Sequence, residues 1–146
     1  MNGLDPRIIK FIHKHHIFTL ATANDNIPYT CTCFYVYKEK ENRFIFTSDR
    51  ETRHVTEMAV QPRVSGAIAL ETNIIGRIQG VQFTGVASEL SGEEYSSAHK
   101  AYLRRFPYAG FKHILLWSID PDFIKMTHNQ LGFGKKITWK KELQNP

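Results

Sequence analysis

The chain has only two cysteines and no apolar stretch approaching the roughly 18 residues that a membrane span requires. Its opening, MNGLDPRIIK, lacks the apolar centre of a signal peptide, so the expected location is the cytoplasm. There is no Gly-x-x-x-x-Gly-Lys phosphate loop, no Gly-x-Ser-x-Gly elbow and no Gly-x-Gly-x-x-Gly dinucleotide fingerprint, which removes the usual signatures of nucleotide hydrolysis, covalent hydrolysis and Rossmann-type binding. Internal repeats, low-complexity tracts and linkers are also missing. Cys31 and Cys33 stand two apart in a run of strand formers and face the same way. Cys-x-Cys without a second pair has neither zinc-site nor redox Cys-x-x-Cys spacing, so both are read as small buried hydrophobes and no metal is expected.

What is present fits one globular domain over 1–146: 42% hydrophobic residues, 12% aromatic and 23% charged. The formal charge of +5 comes largely from separated basic pairs, Arg104-Arg105, Lys135-Lys136 and Lys140-Lys141. Dispersed pairs attract anions generally and argue against a nucleic-acid partner.

Asp5-Pro6 predicts a helix start, with Ile8, Ile9, Ile12 and His16 along one side and an end near His16. Residues 17–23 and 27–37 read as a hairpin around the turn 24–26, and 43–48 as a third strand. A helix over about 52–61 turns Val55, Met58 and Ala59 inward and is closed by Pro62. Residues 63–71 read as a strand, and 77–90 as a long bent strand with Gly80 and Gly85 at bulges or close approaches. Ser91 and Glu94 form a capping-box pattern for a helix running to Phe106. The remainder reads as one strand or two around Asp120-Pro121, then a last short strand. Strands in this number, without β-α-β alternation, predict a mainly β fold, an antiparallel barrel with short flanking helices.

The chemically suggestive stretch is FIFTSDRETRHV, Phe44–Val55. A strand ends in Thr47 and Ser48, a polar loop follows, and a helix opens with Arg53 and His54. Hydroxyls, unpaired helix amides and a guanidinium suit a phosphate. The competing reading makes Thr52 a plain N-cap and Arg53 a solvated first-turn residue.

The segments FYVY (34–37), FTS (46–48), TRHVTEM (52–58), PRVSGAI (62–68) and RIQGVQFTGVASEL (77–90) together resemble the FMN-binding split barrels related to pyridoxamine 5′-phosphate oxidase. LGFGKKITW (131–139), RIQGVQFTG and KAYLRRFP (100–107) resemble the uncharacterised UPF0306 group within that superfamily. The resemblance implies an antiparallel split β-barrel of Greek-key type with short flanking helices, and a homodimer with FMN in the groove between subunits. The strand end Phe46, Thr47, Ser48 and the helix start Arg53, His54 would hold the phosphate, with His54 where the family carries a lysine. The backbone around Thr32, Cys33 and Phe34 would follow the isoalloxazine edge. Gln79 with Gly80, or Gln82, would bond the flavin ring.

This chain finishes KKELQNP and lacks the family's Trp, Arg and Arg-Leu-x-Pro end, so pyridoxamine phosphate oxidation itself is not expected. The expected function is a flavin-dependent oxidoreductase of unknown substrate. The alternative is a non-catalytic binder or sensor of flavin or haem, and a deazaflavin is a further candidate cofactor. His13 and His16 share a helix side but have no accompanying ligand, which favours a surface role, whereas His99, His113 or His128 would be the candidates for haem. Phe106-Pro107-Tyr108 and Trp117 suit packing or ring stacking, and Lys135 and Lys136 suit a solvated strand end or an anion.

Overall fold

The computed structural model describes residues 3–143. Three helices, α1 (Pro6–Lys14), α2 (Arg53–Val60) and α3 (Gly92–Arg105), surround seven strands: β1 (Ile17–Asn24), β2 (Ile27–Lys38), β3 (Arg43–Thr47), β4 (Arg63–Ala69), β5 (Gln79–Glu89), β6 (Leu116–His128) and β7 (Lys136–Lys140). The strand order is β3-β2-β1-β4-β5-β6-β7, every neighbour antiparallel, and β3 also pairs with β6. That extra pairing closes a six-stranded barrel, and placing β4 beside β1 after two hairpins is the Greek-key order.

The barrel is split because β6 serves two partners in turn. Its first half, through Ile119, pairs with β3, and Phe123–Thr127 pair with β7. Asp120-Pro121 does not break it: Thr84 faces Phe123 but Gly85 faces Pro121, so Asp122 is the extra residue of a bulge. A Cβ on Gly85 would lie 2.5 Å from the Asp120 carbonyl oxygen, which explains glycine at the bulge. The β1–β2 hairpin turns through Asp25 (φ 50) and Asn26 (φ 63), both left-handed, as a two-residue turn demands.

Strand alternation sets the core. Phe18, Leu20, Tyr35, Tyr37, Phe44, Phe46, Phe83 and Ile124 point inward, and Phe18 stacks on Tyr35 at 5.2 Å while Phe44 stacks on Phe83 at 4.5 Å. A second cluster of Ile45, Leu116, Ala98 and Tyr102 seats α3 on the outside of β3 and β6.

Several local signals resolve differently from their sequence reading. The carboxylate of Asp5 does cap α1, accepting the Arg7 N–H at 2.8 Å, but the helix ends at Lys14 and its apolar side is Ile8, Phe11 and Ile12. Arg105 of α3 donates to the carbonyls of His13 and His15, holding the chain extended into β1. The capping box does not form: Ser91 makes no side-chain cap, because Glu94 is drawn to Arg43 at 2.7 Å, which also binds Asp120. On α2 the inward residues are His54, Val55, Glu57 and Met58, whereas Ala59 is exposed.

Candidate functional site

The loop after β3 and the start of α2 sit at the open end of the barrel. Thr52 occupies the N-cap position of α2, yet its hydroxyl donates to the Asp49 carbonyl at 2.7 Å and makes no cap bond to the helix. The first amides of α2 therefore have no side-chain acceptor from the cap, and the helix presents its positive end. Arg53 uses one N–H on Glu57 (Nε to Oε1, 3.0 Å) and lays its guanidinium over the Tyr29 ring at 4.2 Å. Glu57 is buried, and Thr22 donates to its other oxygen at 2.6 Å. The Thr22 hydroxyl first, and then Arg53, hold the Glu57 carboxyl below the usual range. A buried carboxylate thus holds Nε of a half-exposed arginine, and the terminal N–H groups of a guanidinium in that position suit an anion.

The other expected phosphate ligands have partners inside the chain. Thr47 donates its hydroxyl proton to the Leu115 carbonyl at 2.6 Å, leaving it only as an acceptor. Ser48 lies 2.6 Å from His54 Nε2. Phe46 is withdrawn into the barrel: its ring is fully buried 5.5 Å from Phe18, and its backbone lies between β2 and β6.

On β2 the alternation separates what the sequence groups together. The Tyr35 N–H bonds the His16 carbonyl, so residues 29, 31, 33 and 35 direct their backbone groups to β1, while Thr30 and Thr32 direct theirs to the opposite edge. β3 pairing stops at Tyr35↔Phe46, leaving that edge without a strand among the described residues. The side chains of Thr32 and Phe34 point out and Cys33 points in. Phe34 meets the ring of Phe106 at 5.5 Å.

From Thr32 a row of mostly small side chains crosses the outer face through Thr19, Ala67 and Gln82 to Lys125. A parallel row runs from Thr30 through Ala21, Ser65 and Thr84 to Phe123. Apart from Thr32, which lies beyond its end, the two rows line a groove of about 340 Å³. Gln82 lies in it, whereas Gln79 reaches toward Gln130 at 3.5 Å beside the β5–β6 ends, with Gly80 next to it on the ladder.

Beneath β2, Cys31 and Cys33 bring their sulfurs to 3.8 Å. The Cys33 thiol, and secondarily His54, pull the Cys31 thiol well below its ordinary range, while the same pairing and burial push Cys33 up. The sequence reading found the shared face but missed the approach of His54. The available signal was that inward positions on β2 face the helix that opens with His54.

The remaining candidates disperse. His13 pairs with Glu39 at 3.1 Å, His15 packs on Phe11, and His16 approaches Phe106. His99 stacks on Tyr95, His113 is exposed, and Trp117 is buried in the core. Tyr108 is exposed, and Lys136 binds Thr127 at 3.0 Å.

The family model described as pyridoxamine 5′-phosphate oxidase matches residues 4–128. The chain belongs to this family. Among curated relatives, a UPF0306 protein of Yersinia pestis is 35% identical over 143 residues, covering 97% of each chain. Among solved structures, a heme binding protein from Mycobacterium smegmatis superposes with a TM-score of 0.74 at 18% identity, over 94% of this chain and 59% of that one. An FAD-binding protein from Mesorhizobium loti gives 0.69 at 17% identity, over 82% of this chain and 89% of the other. The pyridoxamine phosphate oxidase family thus accounts for the split barrel, and no described helix is long and apolar enough to cross a membrane.

Proposed function

We propose that this chain is a single-domain flavin-binding split barrel that takes FMN and serves a redox reaction of a small substrate. The observation that carries the reading is the start of α2, where uncapped amides and a buttressed Arg53 converge beside the bare backbone edge of Thr30 and Thr32. A phosphate suits the first and the polar rim of an isoalloxazine suits the second. The site is nearer a minimal cradle than the full one expected, because Thr47 is engaged elsewhere and Phe46 is withdrawn into the core. Gln82 rather than Gln79 is the ring-contacting glutamine in this reading, since it shares the outer row with Thr32.

A second copy would cover the groove along those rows, for which the exposed apolar residues Ile17, Phe34 and Val86 provide additional apolar surface. Bound FMN would supply the electron chemistry; the protein's part is to hold the phosphate, orient the ring and limit water around it. The haem binder among the structural neighbours supports a second reading, storage or sensing of a cofactor on the same barrel.

The test is a titration of FMN against riboflavin, together with light scattering. FMN should bind far more tightly, to a dimer, and Arg53→Ala should cost FMN about 1.5 to 3 kcal/mol while leaving riboflavin nearly unchanged. Equal binding of the two flavins would overturn the phosphate assignment. Reduction by a nicotinamide and repeated reoxidation, faster than for free FMN, would favour catalysis over storage.

A further inference from the structure

Cys31, Cys33 and His54 form the densest group of metal-binding atoms among the described residues, with one ligand atom from each lying within 4.8 Å of the others. We propose that they make a zinc site of the Cys2His class with an open fourth position. The site goes beyond flavin binding and does not depend on it.

The geometry supports this in three ways. Two thiolates bound tetrahedrally to zinc at about 2.3 Å each place their sulfurs about 3.8 Å apart, and Cys31 and Cys33 stand at 3.8 Å. They reach that separation from alternate positions of a regular strand, held by the register Leu20↔Cys31 and Phe18↔Cys33, so the pair requires no loop rearrangement. The third ligand comes from the first turn of α2, a packed element whose Val55 and Met58 are buried, and His54 itself is 9% exposed.

The donor set selects the metal. Two thiols and an imidazole favour a thiophilic cation over magnesium or calcium, which prefer oxygen ligands. Three protein ligands leave one position open to water, and the Ser48 hydroxyl, hydrogen-bonded to His54 Nε2 at 2.6 Å, gives up that bond if Nε2 is the nitrogen that takes the metal. With His54 on zinc, the anion cradle retains Arg53 and the α2 amides.

The experiment uses flavin-free protein purified under a thiol reductant, stripped of metal, and titrated with Zn²⁺ and, as an optical probe, Co²⁺. One equivalent per chain is expected, with sulfur-to-cobalt charge-transfer absorption and protection of both thiols from alkylation. Cys33→Ser and His54→Gln should each weaken zinc at least about tenfold. Should Cys33→Ser fail to fold, Cys31→Ala, at the half-buried position, provides the same comparison. Folded protein with two free thiols that takes up no stoichiometric zinc would overturn the proposal, as would binding that survives loss of Cys31 and His54. Because no flavin is present, either result is separate from the outcome of the FMN titration.

Discussion

The two ends of β1 and β2 obey the same alternation and produce opposite chemistry. At the closed end, away from the turn, the inward residues of β2 are Tyr35 and Tyr37, buried with Phe18 among rings from β3 and β5. Toward the turn the inward residues become Thr22, Tyr29, Cys31 and Cys33, the two cysteines facing Leu20 and Phe18 across the ladder, and their cover is α2 with Arg53, His54 and Glu57. The closed end binds its strands into ladders on both sides, whereas the open end leaves a β2 edge unpaired. Stability is concentrated at one end of the hairpin, and polar and nucleophilic groups are held at the other by a rigid scaffold.

The largest expected effect breaks the closed end. Phe18→Ala removes a ring that touches Tyr35, Phe44, Phe46 and Phe83 and should cost about 3 to 5 kcal/mol in urea unfolding. Cys31→Ala, on the same sheet face but half-buried, should cost about 1 kcal/mol or less. Comparable losses would show that the open end is as much core as the closed one.

The same contrast governs what could be read from the sequence. Alternation exposed the strands, and Gly85 marked the bend in β5, because these features are local; the split barrel itself came from the family resemblance. Asp120-Pro121 was ambiguous, since a proline that ends many strands is tolerated at the bulge beside it. The Ser91–Glu94 cap and the inward Ala59 failed where a tertiary partner outweighed a local preference: Arg43 took Glu94, and Thr22 with Arg53 made Glu57 worth burying. Thr47, Ser48, Arg53 and His54 could be grouped as candidates because they are neighbours in sequence. The Cys31–His54 approach was not, because it depends on how α2 lies against β2.

A second, smaller effect follows from Glu57. Its folded-state carboxyl is depressed, so the stabilisation it provides is fully present above the unfolded value, roughly pH 4.3, and is lost as pH falls through the folded one. Wild-type protein should therefore lose stability on acidification more steeply than Glu57→Gln, and the gap between them should narrow from pH 7 toward pH 3. Parallel pH profiles from chemical unfolding would show that the Thr22–Glu57–Arg53 chain does not hold the open end together. FMN affinity should fall alongside in Glu57→Gln, because Arg53 loses the carboxylate that directs it.

The smallest expected effect sharpens the comparison by finding a flaw on the closed side. Ser118 of β6 is fully buried beside Ile45, its partner on β3, and its hydroxyl has no hydrogen-bond partner among the described residues. A buried hydroxyl without a partner gives up its bonds to water and gains none in return, so it destabilises the fold in which it sits. Ser118→Ala removes that group at little cost in volume, and the backbone ladder with Ile45 and Ser88 is unaffected by the change. The variant should be more stable by about 1 kcal/mol, read as a higher urea midpoint at unchanged slope. FMN affinity and metal uptake should stay at wild-type values, because Ser118 lies on the closed half of β6, away from α2 and the open β2 edge. A loss of stability would mean that the hydroxyl has a partner after all, and a change in ligand binding would mean that the two ends are coupled through β6.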